Sequence, residues 1–256
     1  MTSPSSIHVL VRQAAERFGD RPAFVFPQRL VDLWDLPAAE IVWRDLLADA
    51  DRLAAAYRAA GYGLGHRVAL LMENRPDFYR HWLALNALGV SLVPVNPDYR
   101  LEELRYLLSH SEAALIVALP SYLSLVREAI DGGGIACAIA TPDEAAAGPP
   151  SATTAPGEGG PRGETEAALL YTSGTTGRPK GCILTNDYFL YWGERYSSEG
   201  GHVSLRPGED RLLQPLPTFH INAIANSFMA MATIGGCLNQ LDRFHPRSWW
   251  DEAVET

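Results

Sequence analysis

Four short, unbroken apolar runs constrain this chain most: VALLM at 68–72, VSLVPV at 90–95, ALIVAL at 114–119 and IACAIA at 135–140. None alternates between apolar and polar residues, so each predicts a strand buried on both faces. The segments between them carry helical spacing: Pro76–Leu88, with proline in the first turn, Leu101–Ser109 and Tyr122–Ile130. Strands and helices alternating in this way predict an α/β fold of βαβ units, its mostly parallel sheets covered by helices. Upstream, Ser5 or Ser6 can cap a helix that places Ile7, Leu10, Val11, Ala14 and Phe18 on one face. AFVF at 23–26 reads as a strand, and Trp43–Ala60 as a long helix stopped by Gly61.

Residues 141–165 break the rhythm, being dense in Pro, Gly, Ala and Thr without an apolar period. They read as a linker or surface loop between a first α/β subdomain (1–140) and the start of a second α/β part (166–256). The second part opens with AALLYT at 167–172, another strand. Ile221–Leu241 is the longest weakly apolar stretch, but it carries Asn222, Asn226, Asn239 and a Gly235-Gly236 pair. A membrane span would leave those amides without partners, so a buried helix is the expectation and no membrane span is predicted.

The 256 residues carry a formal net charge of -9, which argues against nucleic acid or an anionic membrane as partner. Cys137, Cys182 and Cys237 are far apart and fit no C-x-x-C spacing, which reads as a reduced, cytoplasmic chain without a structural zinc. The N-terminus shows no basic leader followed by an apolar run, so no secretory signal is expected. The histidines show no metal-ligand spacing.

Of the 21 basic residues, only Lys180 is a lysine. Codon bias explains arginine wherever any positive charge serves; a lone lysine marks a position that needs a compact ammonium rather than a planar fork. Lys180 ends the densest glycine-threonine run in the chain, Tyr171-Thr172-Ser173-Gly174-Thr175-Thr176-Gly177-Arg178-Pro179-Lys180-Gly181. The run follows an apolar strand. Its glycines can turn backbone N–H groups towards an anion, its hydroxyls can donate to phosphate oxygens, and Thr175 or Thr176 could ligand Mg²⁺. The plainer reading is a flexible polar surface loop, which leaves the strand, the hydroxyls and the single lysine unconnected. A Walker A loop fails on residues, because Pro179 precedes the lysine and Gly181 follows it. Gly61, Gly63 and Gly65, and Gly132 to Gly134, join a helix to a strand, the reverse of a dinucleotide fingerprint, and read as turns. Asn74 reads as a cap before Pro76, and Glu102-Glu103 suit a helix N-terminus.

YTSGTTGRPKG resembles the phosphate loop of the adenylate-forming superfamily: acyl-CoA synthetases, aryl-CoA ligases, luciferases and peptide-synthetase adenylation domains. WRDLLADADRLAAAYRAAGYGLGHRVALLMENRPDF, LGVSLVPVNPDYRLEELRYLLSHSEAALIV and LPTFHINA at 216–223 are similar to the same family. LPTFHINA is most like carnitine/crotonobetaine-type and medium-to-long acyl-CoA ligases. The resemblance implies that a carboxylate attacks the α-phosphorus of ATP, giving acyl-adenylate and pyrophosphate, and that the coenzyme A thiol then displaces AMP. It implies ATP, Mg²⁺, coenzyme A and a small carboxylic acid as ligands. Thr172, Ser173, Gly174, Thr175, Thr176, Gly177 and Lys180 would hold the nucleotide. Phe219, His220 and Asn222 would line the acid pocket, with Lys180 and His220 the catalytic pair. Amino-acid-activating relatives place an aspartate directly after the Phe to neutralise the substrate ammonium; His220 stands there in this chain, which points to a simple acid.

Family members continue with an adenine-contacting stretch, a ribose-binding aspartate and a small C-terminal domain bearing a catalytic lysine. This sequence has none of them, and RSWWDEAVET reads as the middle of a helix, with Trp249 and Trp250 near an end without a capping glycine. The expectation is an N-terminal fragment of a longer ligase, inactive alone, with a complementary C-terminal chain as a partner. A non-catalytic nucleotide-binding or partner-binding remnant is the alternative.

Overall fold

The computed structural model describes residues 3–172 and 178–256. The strands, in chain order, are β1 (Pro22–Val25), β2 (Glu40–Val42), β3 (Arg67–Leu71), β4 (Ser91–Pro94), β5 (Leu115–Ala118), β6 (Ala138–Ala140), β7 (Glu166–Thr172), β8 (Lys180–Thr185), β9 (Arg211–Gln214) and β10 (Cys237–Gln240). The α-helices are α1 (Ile7–Phe18), α2 (Gln28–Trp34), α3 (Trp43–Ala59), α4 (Pro76–Ala87), α5 (Leu101–Ser111), α6 (Leu123–Gly133), α7 (Pro142–Ala147), α8 (Asn186–Ser197), α9 (Met229–Ile234) and α10 (Trp249–Glu255). Two compact units result: Met1–Asp49, Glu73–Pro76 and Asp187–Thr256 form one, and Ala50–Met72 with Asp77–Asn186 form the other.

The first unit holds a four-stranded sheet in the order β2-β1-β10-β9. Here β1, β10 and β9 are parallel, while β2 runs antiparallel at the edge. Ser6 caps α1, accepting the Val9 N–H at 3.3 Å, and Ile7, Leu10, Val11 and Ala14 are buried as the spacing predicts. Phe24 stacks on Phe228 with ring centroids 6.1 Å apart. The buried Trp43 indole donates to the Gly236 carbonyl at 3.2 Å. The Ile221–Leu241 stretch is buried for most of its length but is not one helix. A π-helical stretch, Asn222–Phe228, runs into α9, which Gly235 ends in the left-handed region at φ +65°. The chain then turns into β10. The glycine pair that argued against a membrane span is a helix stop.

The second unit holds a six-stranded sheet in the order β6-β5-β3-β4-β7-β8, parallel throughout except for the antiparallel β7–β8 pair. Its central strands are the continuous apolar runs of the sequence, and β3, β4 and β5 are buried along nearly their whole length. Leu104, Leu108, Val126 and Ile116 pack into one core over the sheet.

The expected boundary at 141–165 is not where the units divide, since this segment lies wholly within the second unit. It opens with α7, whose Thr141 and Glu144 form a reciprocal cap and whose Ala145 is buried. Beyond α7, the Tyr62 hydroxyl donates to the Pro150 carbonyl at 3.0 Å, and the N–H groups of Ala152 and Gly157 donate to the Ala60 and Leu64 carbonyls at 2.8 Å. His66 Nε2 shares a hydrogen bond with Thr154 Oγ1 at 2.9 Å. These ties use backbone groups and isolated polar side chains. An ordered segment held this way has no apolar period, so its sequence looks like a linker. Among the described residues no helix is long and apolar enough to cross a membrane.

Candidate functional site

The glycine-threonine run lies in sequence between β7 and β8. β7 and β8 are paired in register from Leu170↔Cys182 to Thr172↔Lys180, so the run joins two antiparallel strands rather than leading into a helix. Thr172 and Lys180, both exposed, stand opposite each other where β7 ends and β8 begins. Ser173, Gly174, Thr175, Thr176 and Gly177 lie outside the described residues, and with them both residues assigned to Mg²⁺. Gly181 has a packing reason of its own: a Cβ there would come within 3.0 Å of Leu169 Cδ1 and 3.5 Å of Tyr171 Cζ.

Helix α5 clamps the hairpin from one side, which the sequence reading did not foresee. Its Tyr106 hydroxyl donates to the Pro179 carbonyl at 3.0 Å, and the Arg178 guanidinium lies 5.5 Å from the centre of the same ring. One turn further on, His110 Nδ1 shares a 2.7 Å hydrogen bond with the Tyr171 hydroxyl. Burial, aided by the neighbouring Tyr106, pushes the Tyr171 phenol up to about 12, so it remains a neutral hydrogen-bonding group near pH 7. The available signal was the i, i+4 spacing of Tyr106 and His110, which puts both on one helix face.

Residues 216–222 belong to the first unit and follow the C-terminal end of β9, the edge where open α/β sheets place their ligand sites. Phe219 is half-buried, and His220 and Asn222 are exposed. The Phe219 and His220 rings meet with centroids 4.6 Å apart. Asn222 opens the π-helical stretch, a form often found at functional sites. Asn74, read from sequence as a cap before Pro76, instead reaches this segment: its Nδ2 donates to the carbonyls of Leu216 (3.0 Å) and Leu241 (2.9 Å), and its Oδ1 accepts the Thr218 N–H (2.8 Å). Among the described residues no group of three His, Cys, Asp or Glu could hold a metal ion.

The chain belongs to the AMP-binding enzyme family, whose model matches residues 11–256. It is similar to the sulfoacetate–CoA ligase of Cupriavidus necator, with 29% identity over 97% of this chain and 47% of the relative. It is also similar to the crotonobetaine/carnitine–CoA ligase of Citrobacter koseri, with 27% identity over 93% of this chain and 47% of the relative. The inhibitor-bound N-terminal domain of FACL13 from Mycobacterium tuberculosis has the same fold, with a TM-score of 0.80 and 26% identity over 98% of this chain and 61% of that one. The chain thus spans about half the length of the curated relatives it matches.

Proposed function

We propose that this chain is the phosphate- and acid-handling part of an ATP-dependent carboxylate–CoA ligase. The observation that carries the reading is YTSGTTGRPKG, which begins at the end of β7 and ends in β8, in a chain matched by the family model from residue 11 onwards. The residues of that run bind and orient the triphosphate: the Lys180 ammonium offsets negative charge and the threonine hydroxyls donate to phosphate oxygens. Mg²⁺, bound with the nucleotide, would neutralise further phosphate charge, and Thr175 and Thr176 are the residues that would hold it. Phe219, His220 and Asn222 present the acid, whose carboxylate oxygen bonds to the α-phosphorus as pyrophosphate leaves. Coenzyme A is the acceptor in the second step, its sulfur displacing AMP from the acyl carbon.

The relatives are about twice as long, and the 256 residues alone are proposed to bind Mg-ATP without turning over. Calorimetric titration with Mg-ATP should show binding that Lys180→Ala weakens. ATP–pyrophosphate exchange with short aliphatic, long fatty and aryl acids should show no turnover until a complementary C-terminal chain is supplied. Absence of Mg-ATP binding in the wild type would remove the reading altogether. Robust exchange by the chain alone would show that the second half is dispensable.

A further inference from the structure

The turn that carries Phe219 and His220 is not held by the sheet. Pro215 and Pro217 have no N–H, so within 215–218 the only backbone donors are Leu216 and Thr218. Both go to side-chain amides: Leu216 N–H to Gln214 Oε1 at 2.8 Å, and Thr218 N–H to Asn74 Oδ1 at 2.8 Å. Asn74 is only 4% exposed, and both N–H groups of its amide are committed, to the Leu216 and Leu241 carbonyls. Gln240, fully buried, donates to the Gln214 and Leu241 carbonyls at 2.8 and 2.9 Å, tying the ends of β9 and β10 together beneath the turn. The Gln214 amide also donates to the Ser227 hydroxyl in the π-helical stretch. A buried amide network of this kind, fully bonded, holds one arrangement. Its outer end is the turn whose next two residues are half-buried Phe219 and exposed His220.

We propose that Asn74 is the positioning residue of this turn: its carboxamide fixes Leu216 and Thr218 on either side of Pro217 and so sets where Phe219 and His220 meet the acid. The proposal rests on the reading of 216–222 as the acid-handling segment. Asn74→Leu keeps the branched outline of the side chain, at a larger volume, and removes all three bonds, while Asn74→Ser is the milder variant should leucine prevent folding.

Two measurements on the 256-residue chain decide it. In Asn74→Leu, amide hydrogen exchange at Thr218 should speed up about tenfold or more, while Phe24 in β1 of the same sheet changes little. A merely structural role would speed up Phe24 and Thr218 together, which would overturn the proposal, as would an unchanged Thr218. The second readout is binding of a hexanoyl-sulfamoyl adenosine, a stable mimic of the acyl-adenylate, followed at the His220 imidazole signal. Asn74→Leu should weaken the mimic about tenfold while leaving Mg-ATP affinity within about twofold. Equal weakening of both ligands would overturn the positioning role. A wild-type chain that binds Mg-ATP and ignores the mimic would instead overturn the acid-handling reading, with the Thr218 exchange rates still deciding what Asn74 does to the turn.

Discussion

Lys180 begins β8 opposite Thr172, exposed where β7 ends, and it is the chain's only ammonium side chain. Around it the sequence is confined, with Pro179 before it and Gly181 packed against Leu169 and Tyr171 after it. A guanidinium at this position is longer and planar, so it would carry its charge away from where a compact ammonium places it. Lys180→Arg is therefore expected to weaken Mg-ATP binding nearly as much as Lys180→Ala, by roughly ten- to a hundredfold, the worth of a charge-assisted hydrogen bond. Titration calorimetry reads this directly, and wild-type affinity in the arginine variant would mean that any positive charge serves. His220 makes a separate prediction. With no carboxylate directly after Phe219, an α-ammonium on the substrate would lose water and gain no counter-charge. A hexanoyl-sulfamoyl adenosine should bind at least about tenfold more tightly than the matched norleucyl compound. Tighter binding of the norleucyl compound would place the acid elsewhere than beside His220.

At the scale of elements, what was legible depended on how completely each one is buried. The continuous apolar runs gave β3 to β5 to within about a residue, and the spacing of α1 and α3, with the Ser6 cap and the Gly61 stop, gave both helices. β8 escaped notice because KGCILT is an edge strand with Lys180, Cys182 and Ile183 exposed, so it shows neither an apolar run nor an alternation. The clamp on the hairpin escaped for another reason: Tyr106 and Pro179 are 73 residues apart in sequence, and only the fold brings them together. Tyr106→Phe removes that one bond and keeps the ring. It should cost about 1 kcal/mol of stability and loosen the chain at Pro179. Mg-ATP affinity should fall in this variant while unfolding in urea remains cooperative; unchanged affinity would show that the clamp is packing alone. The 141–165 segment invites a similar check. Held by α7 and by ties to Tyr62 and His66, it should resist proteinase K, whereas a free linker of its composition would be cut first.

The division of the whole molecule into units left no mark in the composition. The chain passes from the first unit to the second between Asp49 and Ala50, in the middle of α3, and Glu73–Pro76 return to the first for four residues only. A crossing inside a continuous helix has no proline, glycine or charge run to announce it, so the sequence placed the boundary at the segment that did look like a linker. The consequences of folding for charge are as hidden. His81 on α4 is buried, with Nδ1 sharing a 2.8 Å hydrogen bond with the Tyr57 hydroxyl, and burial holds its pKa at about 4 against an ordinary 6.5, the opposing charges of Asp77 and Arg80 being lesser influences. Between those two values the unfolded chain binds a proton that the folded second unit refuses, so stability falls as the pH falls. A shift of that size is worth about 3 kcal/mol, all of it present above pH 6.5 and lost progressively down to pH 4. From about pH 4.5 downwards Glu166 adds to the loss. Burial opposes its ionisation, but its hydrogen bonds and ion pair with Arg67, at 2.7 and 2.9 Å, outweigh burial and hold it below the usual carboxylate range. Hydrogen exchange at Leu70 and Val93 in β3 and β4, corrected for intrinsic chemistry, should therefore report a stability that declines from neutral pH towards pH 4. His81→Gln keeps a hydrogen-bonding group beside Tyr57 but cannot titrate, so its stability should be lower at neutral pH and flat across the same window. If the glutamine variant keeps the wild-type slope, the proton is taken up somewhere other than His81.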